Sequence, residues 1–241
     1  MTEQESSQPK SFNQGDVEFN LVDDEYITKM VGFETDCAAG GGEPMACHNT
    51  GEFFGVVKND HNRASEIFKR NCNERDFGPS CFNLAKLYLG GKGVPEDNNK
   101  AELNFGKACQ WGHVPACYHQ GIMLYSLAMD AIKNNDMKPT SITSSNLEKG
   151  KQLLGKSCEA GLGDACDAIA SHYLKSGLND DKSKAKPYLT IGCDKANNVK
   201  SCHDLAVMYN LEKDETNYEL YKQKTLDIVK LQGSKILKKK G

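Results

Sequence analysis

What this sequence lacks removes most functional classes. No apolar run approaches the ~18 residues that a membrane-crossing helix needs. There is no glycine-rich phosphate loop, no Gly-x-Ser-x-Gly elbow and no His-Glu-x-x-His motif, so the usual marks of phosphoryl transfer, esterase and zinc-protease chemistry are missing. No two cysteines stand in Cys-x-x-Cys spacing, the arrangement that depresses a thiolate pKa at a thioredoxin-like helix start. No Asn-x-Ser/Thr sequon occurs. A strong excess of one charge is missing too: the net charge is −3, with about −7 over residues 1–36 and about +6 over residues 222–241. Basic charge that local does not make a nucleic-acid groove, so no nucleic-acid partner is expected. The opening MTEQESSQPKSFNQGD has neither the charged-then-apolar layout of a secretory signal nor the Arg-rich, acid-poor composition of a matrix presequence. The sequence as written therefore predicts no cleaved leader.

What is present is a core and a repeat. With 241 residues and 38% hydrophobic content the chain buries a sizeable interior. Its ten cysteines fall into five close pairs: Cys37 and Cys47, Cys72 and Cys81, Cys109 and Cys117, Cys158 and Cys166, Cys193 and Cys202. The second members are 34, 36, 49 and 36 residues apart, a helix-hairpin period with one insertion of about 13. Four positions past each anchor stands a small residue (Gly51, Ala85, Gly121, Ala170, Ala206), and seven past it a large one (Phe54, Tyr88, Leu124, Tyr173, Tyr209). Before the last four pairs come Ala64, Ala101, Gly150 and Ala185, then Phe68, Phe105, Leu154 and Leu189. Spacings of 4, 7 and 8 place these residues on one stripe of each helix.

The repeat reads as an all-α, right-handed solenoid of helix hairpins, because such hairpins bury their apolar stripes only by stacking. Helices are expected at 81–90 and 98–110, parted by a turn with Gly90, Gly91, Gly93 and Pro95, and with Asp97 or Asn98 as cap. Pro187 is expected in the first turn of its helix, where a missing N–H matters least. An amphipathic helix from Val17 to Cys37 should enter the solenoid. A helix from Asp214 to Leu231 should close it, with Leu226, Ile228, Val229 and Leu231 sealing the last repeat. The remaining organisation is a polar tail over 1–15, a single solenoid over 16–235 with a polar insertion near 126–146, and a basic end at 236–241. Within the insertion KNNDMKPTS reads as a loop, followed by a helix from 142 capped by Ser144 or Ser145.

Residues 81–117 resemble the Sel-one-like repeat, a relative of the tetratricopeptide repeat, in its cysteine-rich form with paired cysteines at every junction. Leu84, Ala85, Tyr88, Gly91, Gly93, Ala101, Phe105, Ala108, Cys109, Gly112, Ala116 and Cys117 carry the likeness, which extends over about residues 17–215. Thr50 and Gln120 stand where Leu84 stands in its own repeat, and the glycine-rich turn is intact in one repeat alone. The five pairs and the acidic amphipathic start look most like the branch that serves cytochrome c oxidase assembly in the mitochondrial intermembrane space. That resemblance implies a monomeric scaffold whose partners are proteins of oxidase biogenesis and the intermembrane-space disulfide relay, with no cofactor.

For the cysteine pairs the helix arrangement favours a disulfide across each junction, since successive helix ends are antiparallel neighbours within the reach of a cystine. Three other readings stay open. Cys47-His48, Cys202-His203 and Cys117-Tyr118-His119 could hold metal or haem, though knuckle spacing is missing. Cysteines near helix starts could exchange with client thiols, which would make the chain a thiol-disulfide oxidoreductase. Free thiols would suit a reducing compartment. A secreted repeat protein is the remaining alternative. Trp111, the single tryptophan, is expected to pack into its junction beside His113, the contrasting reading being an exposed partner anchor.

Overall fold

The computed structural model describes residues 24–38, 42–134, 140–175 and 179–238. Eleven α-helices and no strand occur among them. The tail over 1–15 and the Val17 to Asp23 part of the expected entry helix lie outside the described residues. Chain contacts gather into two compact units, Met1–Asn98 and Asn99–Gly241.

The first unit holds α1 (Asp24–Ala38), α2 (Pro44–Glu52), α3 (His61–Arg75) and α4 (Gly78–Gly90). Pro44 and Pro79 sit in the opening turns of α2 and α4, where a fixed φ helps and an absent N–H is harmless. Asp60 caps α3 by accepting from the Arg63 amide at 3.0 Å. Helix α2 runs on through one π turn, Phe53–Val57, which the hydrophobic pattern does not reveal. The widened turn buries the adjacent rings of Phe53 and Phe54 together and leaves Val56 81% exposed.

The second unit contains α5 (Asn98–Gln110), α6 (Val114–Asn134), α7 (Ser141–Glu159), α8 (Gly163–Lys175), α9 (Asn179–Asp194), α10 (Val199–Leu211) and α11 (Glu215–Lys238). Helix α5 starts at Asn98, which leaves Asp97 at its cap position. The stripe expected from the repeat is the core: Ala64, Ala85, Ala101, Ala170 and Ala185 have no exposed surface, nor have Phe105 and Leu189. Phe68, Leu124 and Leu154 are buried with them, each contributing roughly 1.5–3 kcal/mol relative to an exposed side chain. Tyr173 and Tyr209 are only partly buried and pack at the edge of the last core cluster.

Four expectations need correction. The insertion is largely helix: α6 continues to Asn134 and α7 begins at Ser141, with residues 135–139 outside the described part. The lengthened hairpin closes tightly because Gly121 and Gly150 face each other; a Cβ on Gly150 would stand 3.0 Å from the Gly121 carbonyl oxygen. The cap of α7 is Thr140 rather than Ser144 or Ser145; its hydroxyl accepts from the Thr143 amide, so the cap stands four or five residues sooner. Pro187 lies inside α9, not in its first turn. A helix tolerates the ring's φ and loses one backbone hydrogen bond, and α9 is held here by Ala185 and Leu189 on its buried face. Helix α11 extends past Leu231 to Lys238, and of the four apolar residues expected to seal the end only Ile228 is buried, beside Tyr221. Leu226, Val229 and Leu231 are about half exposed, because one helix presents a single stripe to the repeat it covers.

Candidate functional site

The cysteine pairs sit at one recurring corner. Helices α2, α4, α6, α8 and α10 each begin three residues before their anchor cysteine, at Pro44, Gly78, Val114, Gly163 and Val199. The preceding helix ends just past the first cysteine. The structure brings together Cys37 with Cys47, Cys72 with Cys81, Cys109 with Cys117, Cys158 with Cys166 and Cys193 with Cys202. Their Cα atoms are 4.5–4.8 Å apart and their sulfurs at disulfide distance.

A backbone device that sequence reading missed makes this possible. Five residues before the anchor, in the last four junctions, stands a residue in the left-handed region: Asp76 (φ 54°), Gly112 (φ 77°), Gly161 (φ 92°) and Asn197 (φ 48°). That conformation stops the first helix and turns the chain back upon it. Glycine, asparagine and aspartate are the residues that adopt it at least strain. After Gly112 and Gly161 the next amide donates to a carbonyl five residues back, His113 to Ala108 and Leu162 to Ser157, both at 3.0 Å. After Asp76 and Asn197 the bond reaches six back, Phe77 to Asn71 and Asn198 to Gly192. Those two junctions carry one more residue between their cysteines, separations of 9 against 8. The signal was legible as a recurring Asp/Gly/Gly/Asn at a fixed offset.

The five corners differ in surroundings. Cys109 and Cys117 are half-buried, whereas the other eight cysteines are buried. Trp111, in the loop between the former two, is 54% exposed, which overturns its expected packing in the junction. At the first corner Arg70 donates from Nη2 to both the carbonyl oxygen and the Sγ of Cys37, each at 3.2 Å. Arg75 donates from Nη1 to the Gly42 carbonyl at 2.6 Å and to Cys47 Sγ at 2.9 Å. Cys37 and Arg70 also line an open cleft of about 360 Å³ with Glu34, Thr50 and Arg63. The Arg63 guanidinium pairs with Glu34 there.

The histidines next to cysteines are engaged otherwise. His48 is buried, its Nδ1 3.1 Å from Ser80 Oγ and its Nε2 3.5 Å from Glu52, between the rings of Phe68 and Phe77. Burial holds its pKa below the ordinary 6.5, with Glu52 pulling it back up. His119 stacks on Phe105, and His203 is exposed beside Asp204. Among the described residues no three of His, Cys, Asp or Glu gather as a metal set. The two residues that replace Leu84 in other repeats are buried with partners: Thr50 donates to the Ala46 carbonyl at 2.8 Å, and Gln120 to Glu102 at 2.6 Å. No described helix is long and apolar enough to cross a membrane.

With this geometry in place the likenesses to known proteins fall into line. Residues 44–70, 78–113 and 141–162 match the Sel1 repeat. Cytochrome c oxidase assembly factor 7A of Xenopus laevis is 26% identical over 200 residues, covering 79% of this chain and 81% of the frog protein. The cytochrome c oxidase assembly factor 7 homolog of Drosophila melanogaster is 24% identical over 235 residues, 85% of this chain and 88% of its own. Among solved structures, a Sel1 repeat protein from Oxalobacter formigenes superposes with a TM-score of 0.58 at 20% identity, over 77% of this chain and 73% of that one. A protective antigen of uropathogenic Escherichia coli with the same repeat fold gives 0.63 at 17% identity, over 88% of this chain and 44% of its own. The chain carries Sel1 repeats over those three stretches and is similar over most of its length to proteins named cytochrome c oxidase assembly factor 7.

Proposed function

We propose that the protein is a non-enzymatic interaction scaffold that assists assembly of cytochrome c oxidase in the mitochondrial intermembrane space, with its five junction pairs oxidised. The observation that carries this reading is the likeness, over four-fifths of both chains, to relatives named for oxidase assembly. The junctions support the compartment, since cystines persist only where the surroundings are oxidising. In the chain-entropy model, closing separations of 8 to 10 residues stabilises the fold by about 2.5 kcal/mol per junction. A stack of short hairpins gains a large share of its stability that way. Its partners are proteins of oxidase biogenesis and the disulfide relay of that space, it works as a monomer, and it needs no cofactor.

Fractionation of the endogenous protein, peptide mapping without reduction and deletion in cells test the proposal together. Expected are recovery with the intermembrane space, five cystines in the pairs above, and loss of assembled oxidase on deletion. Recovery in the cytosol with ten alkylatable thiols, or full oxidase activity in deleted cells, would sink it.

A further inference from the structure

We propose that the outer stripe of α5 is a docking surface for an acidic amphipathic helix of a partner protein, with Leu103 and Trp111 as its anchors. The inference rests on the scaffold reading above and adds to it a surface and the chemistry of the partner. On α5, Ala101, Phe105 and Ala108 have no exposed surface and fix the side that faces the core. Away from them Lys100, Leu103 and Lys107 follow at spacings of 3 and 4, and the Trp111 amide still donates to the Lys107 carbonyl at 3.2 Å. The helical path therefore runs on to Trp111 and sets it on the same stripe, about 12 Å from Leu103 at ~1.5 Å per residue. Leu103 is 56% exposed and Trp111 54%. Helices α3, α7 and α9 carry no such pair at the same offsets from their first cysteines, where Glu66 and Glu74, Gln152 and Ala160, and Pro187 and Lys195 stand. Stacking of the repeats thus does not call for large apolar groups at these two positions. Exposed tryptophan is among the side chains that most often become binding hot spots.

The stripe selects its partner by shape and by charge. A ridge of side chains at helical spacing packs into the grooves of another helix, and apolar anchors two turns apart are met by apolar residues at matching turns. Lys100 and Lys107 bracket Leu103 on the stripe. Glu102, the one acid of α5, lies off it and accepts from Gln120 at 2.6 Å. Cations among the anchors favour carboxylates along the edge of the partner's apolar face and repel a basic helix. An anionic bilayer would meet the same lysines, but membrane binding grows with the apolar area inserted, and two side chains on one stripe supply little.

Trp111 is the single tryptophan, so its emission reports on this surface directly. The full chain is titrated with a synthetic helix of ~15 residues that carries leucines at every third and fourth position with glutamates and alanines between them. Parallel titrations use its twin, in which lysine replaces glutamate, and vesicles of equal parts phosphatidylcholine and phosphatidylserine. Expected are a blue shift and protection from acrylamide with the acidic helix, binding of the lysine twin at least about tenfold weaker, and an affinity that falls as salt rises. Leu103→Ala should weaken binding at least about tenfold, and so should Trp111→Ala, read by calorimetry. Leu211→Ala, at a 75% exposed position of α10, should leave it unchanged. Lys100→Gln with Lys107→Gln should bring the two helices to similar affinity. No shift with the acidic helix, a stronger response to the lysine twin or to the vesicles, or an equal loss on Leu211→Ala overturns the inference. None of those results touches the loss of oxidase in deleted cells, whereas full oxidase activity there, with the acidic helix still bound in solution, removes the scaffold reading alone.

Discussion

Two junctions of the second unit have the same loop length and opposite burial, which separates what a cystine does to the unfolded chain from what its sulfurs do in the core. Cys109–Cys117 and Cys158–Cys166 both close a separation of 8, so the chain-entropy contribution is the same, about 2.5 kcal/mol. Replacing both cysteines by serine removes that much from each. At the fourth junction the sulfurs have no exposed surface, so each new hydroxyl is buried without an assured partner, at a cost of about 1–3 kcal/mol apiece. At the third, half-buried junction the hydroxyls reach water. The expected loss is therefore about 2.5 kcal/mol for Cys109→Ser with Cys117→Ser, and about 5 kcal/mol or more for Cys158→Ser with Cys166→Ser. Alanine at positions 158 and 166 should recover part of the difference, because it leaves nothing polar behind. Equilibrium urea unfolding followed by circular dichroism measures both, and both junctions lie in the same compact unit. Equal losses within about 0.5 kcal/mol, or a larger loss at the third junction, would refute the reasoning about burial.

Gly161→Ala should destabilise by about 1–2 kcal/mol through backbone strain alone, since a Cβ there meets nothing within 4 Å at φ 92°; a thermal melt unchanged from wild type would remove the left-handed corner as a cause of the fold. Leu189→Ala, at a fully buried position among Ala185, Cys193 and Leu205, should lose about 3–4 kcal/mol in urea unfolding, and a loss below about 1 kcal/mol would mean that the cluster collapses around the gap. His48 is held below its ordinary 6.5 in the folded state, so the unfolded chain binds the proton first, and stability present above pH 6.5 is lost as pH falls below it. His48→Gln should flatten that part of the stability profile, and an unchanged slope would assign it elsewhere. Trp111→Ala should change stability by less than about 0.5 kcal/mol, since the indole is exposed; a loss of 2 kcal/mol would show that it packs into the junction after all.

The division between sequence and tertiary structure follows from the range of each interaction. The repeat register, the small-then-large stripe and the neighbouring cysteine pairs were legible because they are local: helical periodicity places Ala85 and Tyr88, or Ala185 and Leu189, on one face whatever lies opposite. Thr140 as the cap of α7 and the left-handed residues at 76, 112, 161 and 197 were local too, yet several residues nearby could have served and only the folded chain selects among them. Other features depend on what sits across the contact. Gly121 packs against Gly150 where a loop was expected, and one π turn carries two adjacent phenylalanines into the core. Periodicity alone could not tell which apolar residues of α11 meet a partner, and so Leu226, Val229 and Leu231 were misassigned. The differences among the five junctions are of this second kind. By itself the sequence determined that there are five equivalent corners, since their spacing repeats. Only the tertiary structure decided that the first carries two arginines and the third stands open, because Arg70 and Arg75 are 33 and 28 residues from the sulfurs they touch and solvent access is set by every helix around a corner at once.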